Sequence, residues 1–157
     1  MQDQLFDLLL TGTLDTLVMV GLSALIALLI GLPLAVILVS TSAQGIFPST
    51  KINQPIGWII NITRSVPFLI LMVALIPITR WIIGTSYGVW AAIVPLSLAA
   101  TPFFARIAEV SLREVDHGLI EAAQAMGATH RQIIRKVMLP EALPGILNAV
   151  VITLVAL

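Results

Sequence analysis

Long runs of apolar residues, separated by short polar segments, dominate this chain. Between Thr16 and Thr50 there is no charged side chain, and residues 17–39 are almost entirely Leu, Ile, Val, Ala and Gly. A helix rises about 1.5 Å per residue, so a run of this length crosses a hydrocarbon layer of ~30 Å. The pattern predicts a first transmembrane helix over about residues 16–39.

The start of the chain bears on whether this run is retained. A cleaved signal peptide has a basic start and an apolar core of only about 7–15 residues. The first residues here, MQDQLFD, are acidic instead, and the apolar run is longer. The pattern therefore favours a transmembrane helix over a signal peptide.

A second apolar run lies between Lys51 and Arg80 and predicts a span over about residues 57–79. Trp58 and Trp81 stand where aromatic side chains favour the two headgroup layers. Arg64 precedes the most apolar part, and its long side chain is expected to extend toward an interface. A substrate or pore charge is the alternative interpretation of Arg64.

A third apolar run predicts a span over about residues 87–105, ending before Arg106. Pro95 and Pro102 lie inside it. Prolines are tolerated in membrane helices when neighbouring groups satisfy the freed carbonyls, and they often bend the helix. A bent third span is therefore expected.

Small residues recur at helical spacing in the first and third spans. The two stripes are Ser23, Ala27, Gly31 and Ala35, and Ser97, Thr101 and Ala105. Small side chains let membrane helices approach closely, so the stripes predict helix packing. The alternative is a lining of small side chains along a translocation path. We expect an oligomer to form through these stripes.

Composition agrees with a membrane protein, because 59% of the residues are hydrophobic and only 10% are charged. Average soluble domains contain about 25% charged residues. Eight basic residues balance eight acidic ones, so no net charge favours nucleic acid as a partner. The absence of cysteine excludes disulfides, thiol nucleophiles and Cys-ligated metals.

Charge is concentrated in one segment, residues 106–142. Five of the eight basic and five of the eight acidic residues lie between Arg106 and Glu141. Cytoplasmic loops collect Lys and Arg, which predicts that this loop faces the cytoplasm. Three alternating spans then place the amino terminus outside.

The pattern within this loop predicts two short helices meeting at a glycine corner. Residues 119–126 favour a helix that Gly127 ends, and Thr129 with Gln132 has the spacing of a capping box. Helices this short are marginal alone, so another surface must pack on them. The residues expected on one side of the first helix are Leu119, Ile120, Ala123 and Met126.

The loop also contains a motif of long, fixed spacing. EAA, three residues, Gly, nine residues and then VMLP resembles the EAA loop of binding-protein-dependent ABC importer permeases, written EAA-x3-G-x9-I-x-L-P. Valine stands where isoleucine is usual, a difference of one methylene. The matching residues are Glu121, Ala122, Ala123, Gly127, Val137, Leu139 and Pro140.

The resemblance extends over nearly the whole chain and includes the methionine-uptake permeases of that family. The stretches that carry it are TRSVPFLILMVALIPITR, IIGTSYG, AAIVPL and AMGATHRQIIRKVMLPEALPG. It implies an all-α, multi-pass helix bundle in the bacterial cytoplasmic (inner) membrane, with residues 1–157 forming one transmembrane type-1 domain. It also implies uptake of a small amino acid, methionine in this subgroup, by alternating access.

The same resemblance implies the partners. They are a second copy of the permease in a homodimer, two ABC ATPase subunits that contact the EAA loop, and an external substrate-binding lipoprotein. ATP hydrolysis then belongs to a separate subunit, and no cofactor, metal or catalytic residue is expected in this chain. No substrate-binding residue can be identified from the pattern.

The last residues, after Pro144, read GILNAVVITLVAL. They are fewer than the ~20 residues of a full span. A partial fourth span over residues 143–157 is therefore expected. The resemblance to five-helix permeases implies a chain that is truncated before the last helix.

Three alternative functions remain at this point. The chain could be a permease of the same family for another amino acid, or a structural membrane subunit that transports nothing. A membrane enzyme could use the titratable residues of the loop, but neither an HExxH motif nor a Walker-type glycine run accompanies them. Those residues are Glu109, Asp116, His117, Glu121 and His130.

Overall fold

The computed structural model of the protein describes residues 2–157, with side chains from residue 4 onward. Over this range the fold is all α, without a strand. Three of the helical segments, Gln4–Thr41, Val89–Arg113 and His130–Ala156, are long and apolar enough to cross a membrane. The helices are α1 (Gln2–Thr41), α2 (Thr50–Ser65), α3 (Phe68–Ala74), α4 (Ile76–Ile83), α5 (Val89–Arg113), α6 (His117–Ala125), α7 (His130–Ile133) and α8 (Leu139–Ala156), with a π-helical turn at Ile134–Met138.

Helix α1 is longer than the span predicted over residues 16–39. Its 40 residues correspond to about 60 Å, twice the ~30 Å hydrocarbon layer. The prediction began after the last acidic residue, Asp15, whereas the Leu-rich segment before it contains no proline and continues the helix. Residues 4–18 are exposed along this extension.

The predicted second span, residues 57–79, is not one continuous helix. Helix α2 ends at Ser65, and α3 leaves it at an angle of 105° before the chain continues into α4. Pro67 explains the break, because it has no N–H to donate and disfavours helical geometry at the residue before it. Val66 has extended geometry, with φ −82° and ψ 127°.

Helices α1 and α5 run in the same direction and form the centre of the bundle. A Cβ atom placed on Gly31 would lie 2.8 Å from Cδ1 of Phe104 and 3.0 Å from the carbonyl oxygen of Thr101. These distances are shorter than ordinary carbon contacts, so only glycine allows the two backbones to approach this closely. Pro95 and Pro102 are accommodated within α5.

Helix α8 packs on α5 in the opposite direction. A Cβ atom on Gly145 would lie 2.6 Å from Oγ of Ser111, near the carboxyl end of α5. Helical structure begins before the partial fourth span predicted over residues 143–157, because α7, the π-helical turn and α8 form one continuous helical segment, His130–Ala156. The second half of the charged loop therefore leads into α8 without a break.

Candidate coupling site

The charged loop begins with an ion-pair cluster on the last turns of α5. Glu109 is only 3% exposed and accepts hydrogen bonds from Nη1 of Arg106 at 2.6 Å and from Nη2 of Arg113 at 2.8 Å. Burial of a carboxylate is costly unless it is paired, and here both oxygens have a guanidinium partner. The cluster fixes the end of α5, which extends eight residues into the region predicted as loop.

Helix α6 begins with a side-chain cap. Oδ1 of Asp116 accepts a hydrogen bond from the backbone N–H of Gly118 at 2.8 Å. This bond satisfies one of the free N–H groups at the start of a helix. The sequence interpretation began the helix at residue 119 and missed this cap, although aspartate is among the residues preferred there.

The glycine corner that ends α6 has the expected geometry. Gly127 has a φ of 77°, in the left-handed region that favours glycine. The N–H of Gly127 donates to the carbonyl of Gln124 at 2.9 Å, and the N–H of Ala128 donates to that of Ala123 at 3.0 Å. This pair of bonds is a Schellman motif, so the corner is hydrogen-bonded and defined.

The second helix begins at the capping box predicted from the sequence. Oγ1 of Thr129 accepts from the backbone N–H of Gln132 at 3.4 Å, and Oε1 of Gln132 accepts from the backbone N–H of Thr129 at 2.8 Å. The ring of His130 lies 5.7 Å from that of Phe47, which ties this end to the segment after α1.

Both short helices share a hydrophobic core with the long ones. Ala123 of α6, Ile133 of α7 and Met138 of the π-helical turn are buried in the cluster that contains Ala35 of α1 and Leu112 of α5. The loop is therefore a folded part of the bundle and not a solvated connector.

The motif residues divide between this core and the surface. Ala123 is buried, and Val137 and Leu139 are half-buried. The exposed members are Glu121, Ala122, Gly127 and Pro140. A cavity of about 360 Å³ lies beside α6, with Glu121 among its lining residues.

The apolar residues predicted on one side of α6 do not all pack on the core of this chain. Leu119 is 44% and Met126 is 82% exposed. Only Ala123 and Ile120 face the core, because Met126 already lies in the turn that leads to Gly127. Apolar side chains are thus left on the outer surface next to Glu121.

The two small-residue stripes meet each other within one chain. Gly31 of the α1 stripe packs against Thr101 and Ala105 of the α5 stripe. The other members, Ser23, Ala27, Ala35 and Ser97, are also buried. The expectation that an oligomer forms through these stripes was therefore wrong, because α5 already covers the α1 stripe.

Arg64, whose side chain was expected to extend toward a membrane interface, is exposed in the structure. It lines a cavity of about 480 Å³ beside the α2–α3 break, together with Leu96 and Phe103 from the middle of α5. No group of side chains suited to a metal ion occurs among the described residues.

Comparison with known proteins decides the family. Residues 27–157 match the family described as "Binding-protein-dependent transport system inner membrane component". The chain belongs to this family. The membrane-enzyme and non-transporting structural alternatives for this permease are therefore set aside.

Individual relatives match nearly all of this sequence, which spans about 70% of their own length. It is 56% identical to the probable D-methionine transport system permease protein MetI of Vibrio cholerae serotype O1, over 96% of this chain and 67% of that protein. It is 50% identical to the D-methionine transport system permease protein MetI of Escherichia coli strain K12, over 100% of this chain and 72% of that protein.

A solved structure shares the fold. The permease superposes with a TM-score of 0.96 and 49% identity on a chain of the MetNI methionine ABC transporter in an inward-facing conformation. The match covers 99% of this chain and 72% of that one. The arrangement of α1 to α8 is thus that of an ABC transporter permease.

Proposed function

We propose that this permease carries methionine, including its D enantiomer, inward across the bacterial cytoplasmic membrane. The observation that carries the proposal is the 50% to 56% identity to D-methionine permeases over 96% to 100% of this chain. A second copy of the chain, two ATPase subunits and an external binding lipoprotein complete the transporter.

The EAA loop, residues 106–142, is the contact for the ATPase on the cytoplasmic side. Glu121 and Ala122 are exposed on α6, next to the apolar side chains of Leu119 and Met126. A small residue allows close approach, a carboxylate pairs with a basic partner group, and exposed apolar side chains bury on contact. This surface suits docking into a groove.

Packing explains how motion is transmitted from this contact. Ala123 and Met138 share one buried cluster with α1 and α5, and the Arg106–Glu109–Arg113 cluster fixes the end of α5. Closely packed cores move as units and do not deform continuously. Displacement of α6 by the ATPase therefore moves the long helices and alternates access to the path.

Uptake into proteoliposomes tests the proposal. Vesicles containing the permease with its ATPase and binding protein are expected to accumulate labelled D- and L-methionine with ATP, but not with a non-hydrolysable analogue. Accumulation of a different amino acid without methionine would contradict the substrate assignment. Absence of any ATP-driven uptake by an assembled complex would contradict the transport role.

A further inference from the structure

The cavity at the α2–α3 break lies beside the middle of helix α5, about halfway along the length of the bundle. Its α5 lining residues run from Leu96 to Phe103, in the middle of Val89–Arg113. Its volume of about 480 Å³ falls within the ~300–1,000 Å³ of small-molecule sites. Irregular backbone at membrane depth is tolerated where it lines such a cavity, and broken helices often mark binding sites.

Arg64 places an exposed positive charge beside this cavity. Among the described residues, the ion pairs involve only Glu109 with its two arginines. The sequence contains no carboxylate side chain between Asp15 and Glu109. Charged residues within membrane-spanning segments usually serve substrate or ion pathways. Among the described residues no carboxylate pairs with Arg64, and an anionic ligand would supply that partner.

The remaining lining residues give the cavity two chemically different parts. Thr63 lies beside Arg64, and α2 ends there at Ser65, so the partially negative carboxyl end of the helix dipole is close. Phe68, Leu71, Leu96 and Phe103 supply apolar and aromatic surface, and Thr153, Ala156 and Leu157 at the end of α8 also line the cavity. One side thus suits a charged head group, and the other suits an apolar side chain.

We propose that this cavity binds the transported amino acid, with Arg64 receiving its α-carboxylate. A guanidinium pairs with a carboxylate through two parallel hydrogen bonds. The end of α2 suits the α-ammonium group, and a flexible thioether packs well against aromatic rings. This inference rests on the proposed function and assigns the substrate site within it.

Photo-crosslinking of the assembled transporter tests the site directly. The probe is photo-methionine, in which a diazirine replaces the thioether and the carboxylate is retained. Illumination followed by peptide mass spectrometry is expected to place the label within residues 63–71, 96–103 and 153–157, which contain the lining residues of the cavity. Excess methionine should prevent labelling, whereas methionine amide, which lacks the carboxylate, should not.

Two arginine variants separate the site from general effects of charge. Arg64→Gln is expected to lower labelling about 10- to 100-fold, as for loss of a hydrogen bond to a charged group. Arg64→Lys should be intermediate because it keeps the charge but not the paired geometry. Arg80→Gln changes another exposed arginine, in α4, that does not line the cavity, and it should label like the wild type. Co-purification of the ATPase verifies that each variant is assembled.

The outcomes distinguish this inference from the proposed function. Label elsewhere in the permease, or unchanged labelling in Arg64→Gln, with normal methionine uptake by the wild type would overturn the site but leave the transport role intact. Loss of labelling in Arg64→Gln and Arg80→Gln alike would also overturn the assignment to Arg64. Failure of methionine uptake by the wild type counts against the proposed function instead.

Discussion

Gly31 provides the sharpest test of the α1–α5 contact. Substitution by alanine adds one methyl group whose carbon would lie 2.8 Å from Cδ1 of Phe104 and 3.0 Å from the carbonyl oxygen of Thr101. Phe104 is fully buried and the carbonyl belongs to the backbone, so neither can move aside easily. The two helices must separate.

The expected cost follows from two opposing terms. Overpacking of a close contact costs about 1–3 kcal/mol. Alanine gains up to about 1 kcal/mol over glycine through helix propensity. Gly21 is the matched control on the same helix, because a Cβ atom there meets no atom within 4 Å. Gly31→Ala should therefore be less stable than Gly21→Ala by about the full overpacking term of 1–3 kcal/mol.

Thermal unfolding of both variants in the same detergent measures this difference in stability. The loss of monodisperse protein on heating gives the melting temperature. Gly21→Ala is expected to melt at or above the wild-type temperature and Gly31→Ala several degrees below Gly21→Ala. Equal melting of the two variants would refute the close α1–α5 approach.

Three further substitutions test the loop and its packing. Glu109→Gln should lower the melting temperature, because it leaves two arginines without their shared carboxylate, whereas Glu114→Gln, at an exposed position, should have little effect on the same measurement. Thr129→Ala removes the capping box and should destabilise by about 0.5–2 kcal/mol, measured by faster amide hydrogen exchange at the start of α7. Gly145→Ala should weaken α5–α8 packing at Ser111, detected as reduced crosslinking between cysteines placed on these two helices.

Local chemistry explains why much of the loop could be predicted from the sequence. The capping box at Thr129 and the left-handed turn at Gly127 depend on residues a few positions apart, and both were correctly predicted. The sequence interpretation missed the helix cap at Asp116 and the ion-pair cluster around Glu109, although each also has a local sequence signal. Arginines three residues before and four after a glutamate lie on its helix face.

Long-range features were harder to predict. Small-residue stripes indicate close helix packing but do not identify the helix that packs on them. We expected a contact between two chains, whereas α5 of the same chain covers the α1 stripe. The break at Pro67 was missed because hydropathy over residues 57–79 is continuous across it. Arg64 lies beside the cavity because the helix breaks after Ser65 and because α5 packs nearby. The residues next to Arg64 in the sequence do not predict either feature.

ATPase retention and uptake, measured together in charge-reversal variants of α6, test the central claim most directly. Glu121→Arg should place like charge against a basic group of the ATPase, a change that costs roughly 2–5 kcal/mol in a desolvated contact. Glu114→Arg, at another exposed glutamate outside the motif, is the matched control. Gly127→Pro removes the left-handed corner without touching the Arg64 cavity.

The account predicts that Glu121→Arg and Gly127→Pro insert into the membrane normally but lose ATPase co-purification and ATP-driven methionine uptake together, while Glu114→Arg retains both. Near-normal ATPase retention and uptake in Glu121→Arg and Gly127→Pro would contradict the assignment of this loop as the coupling element.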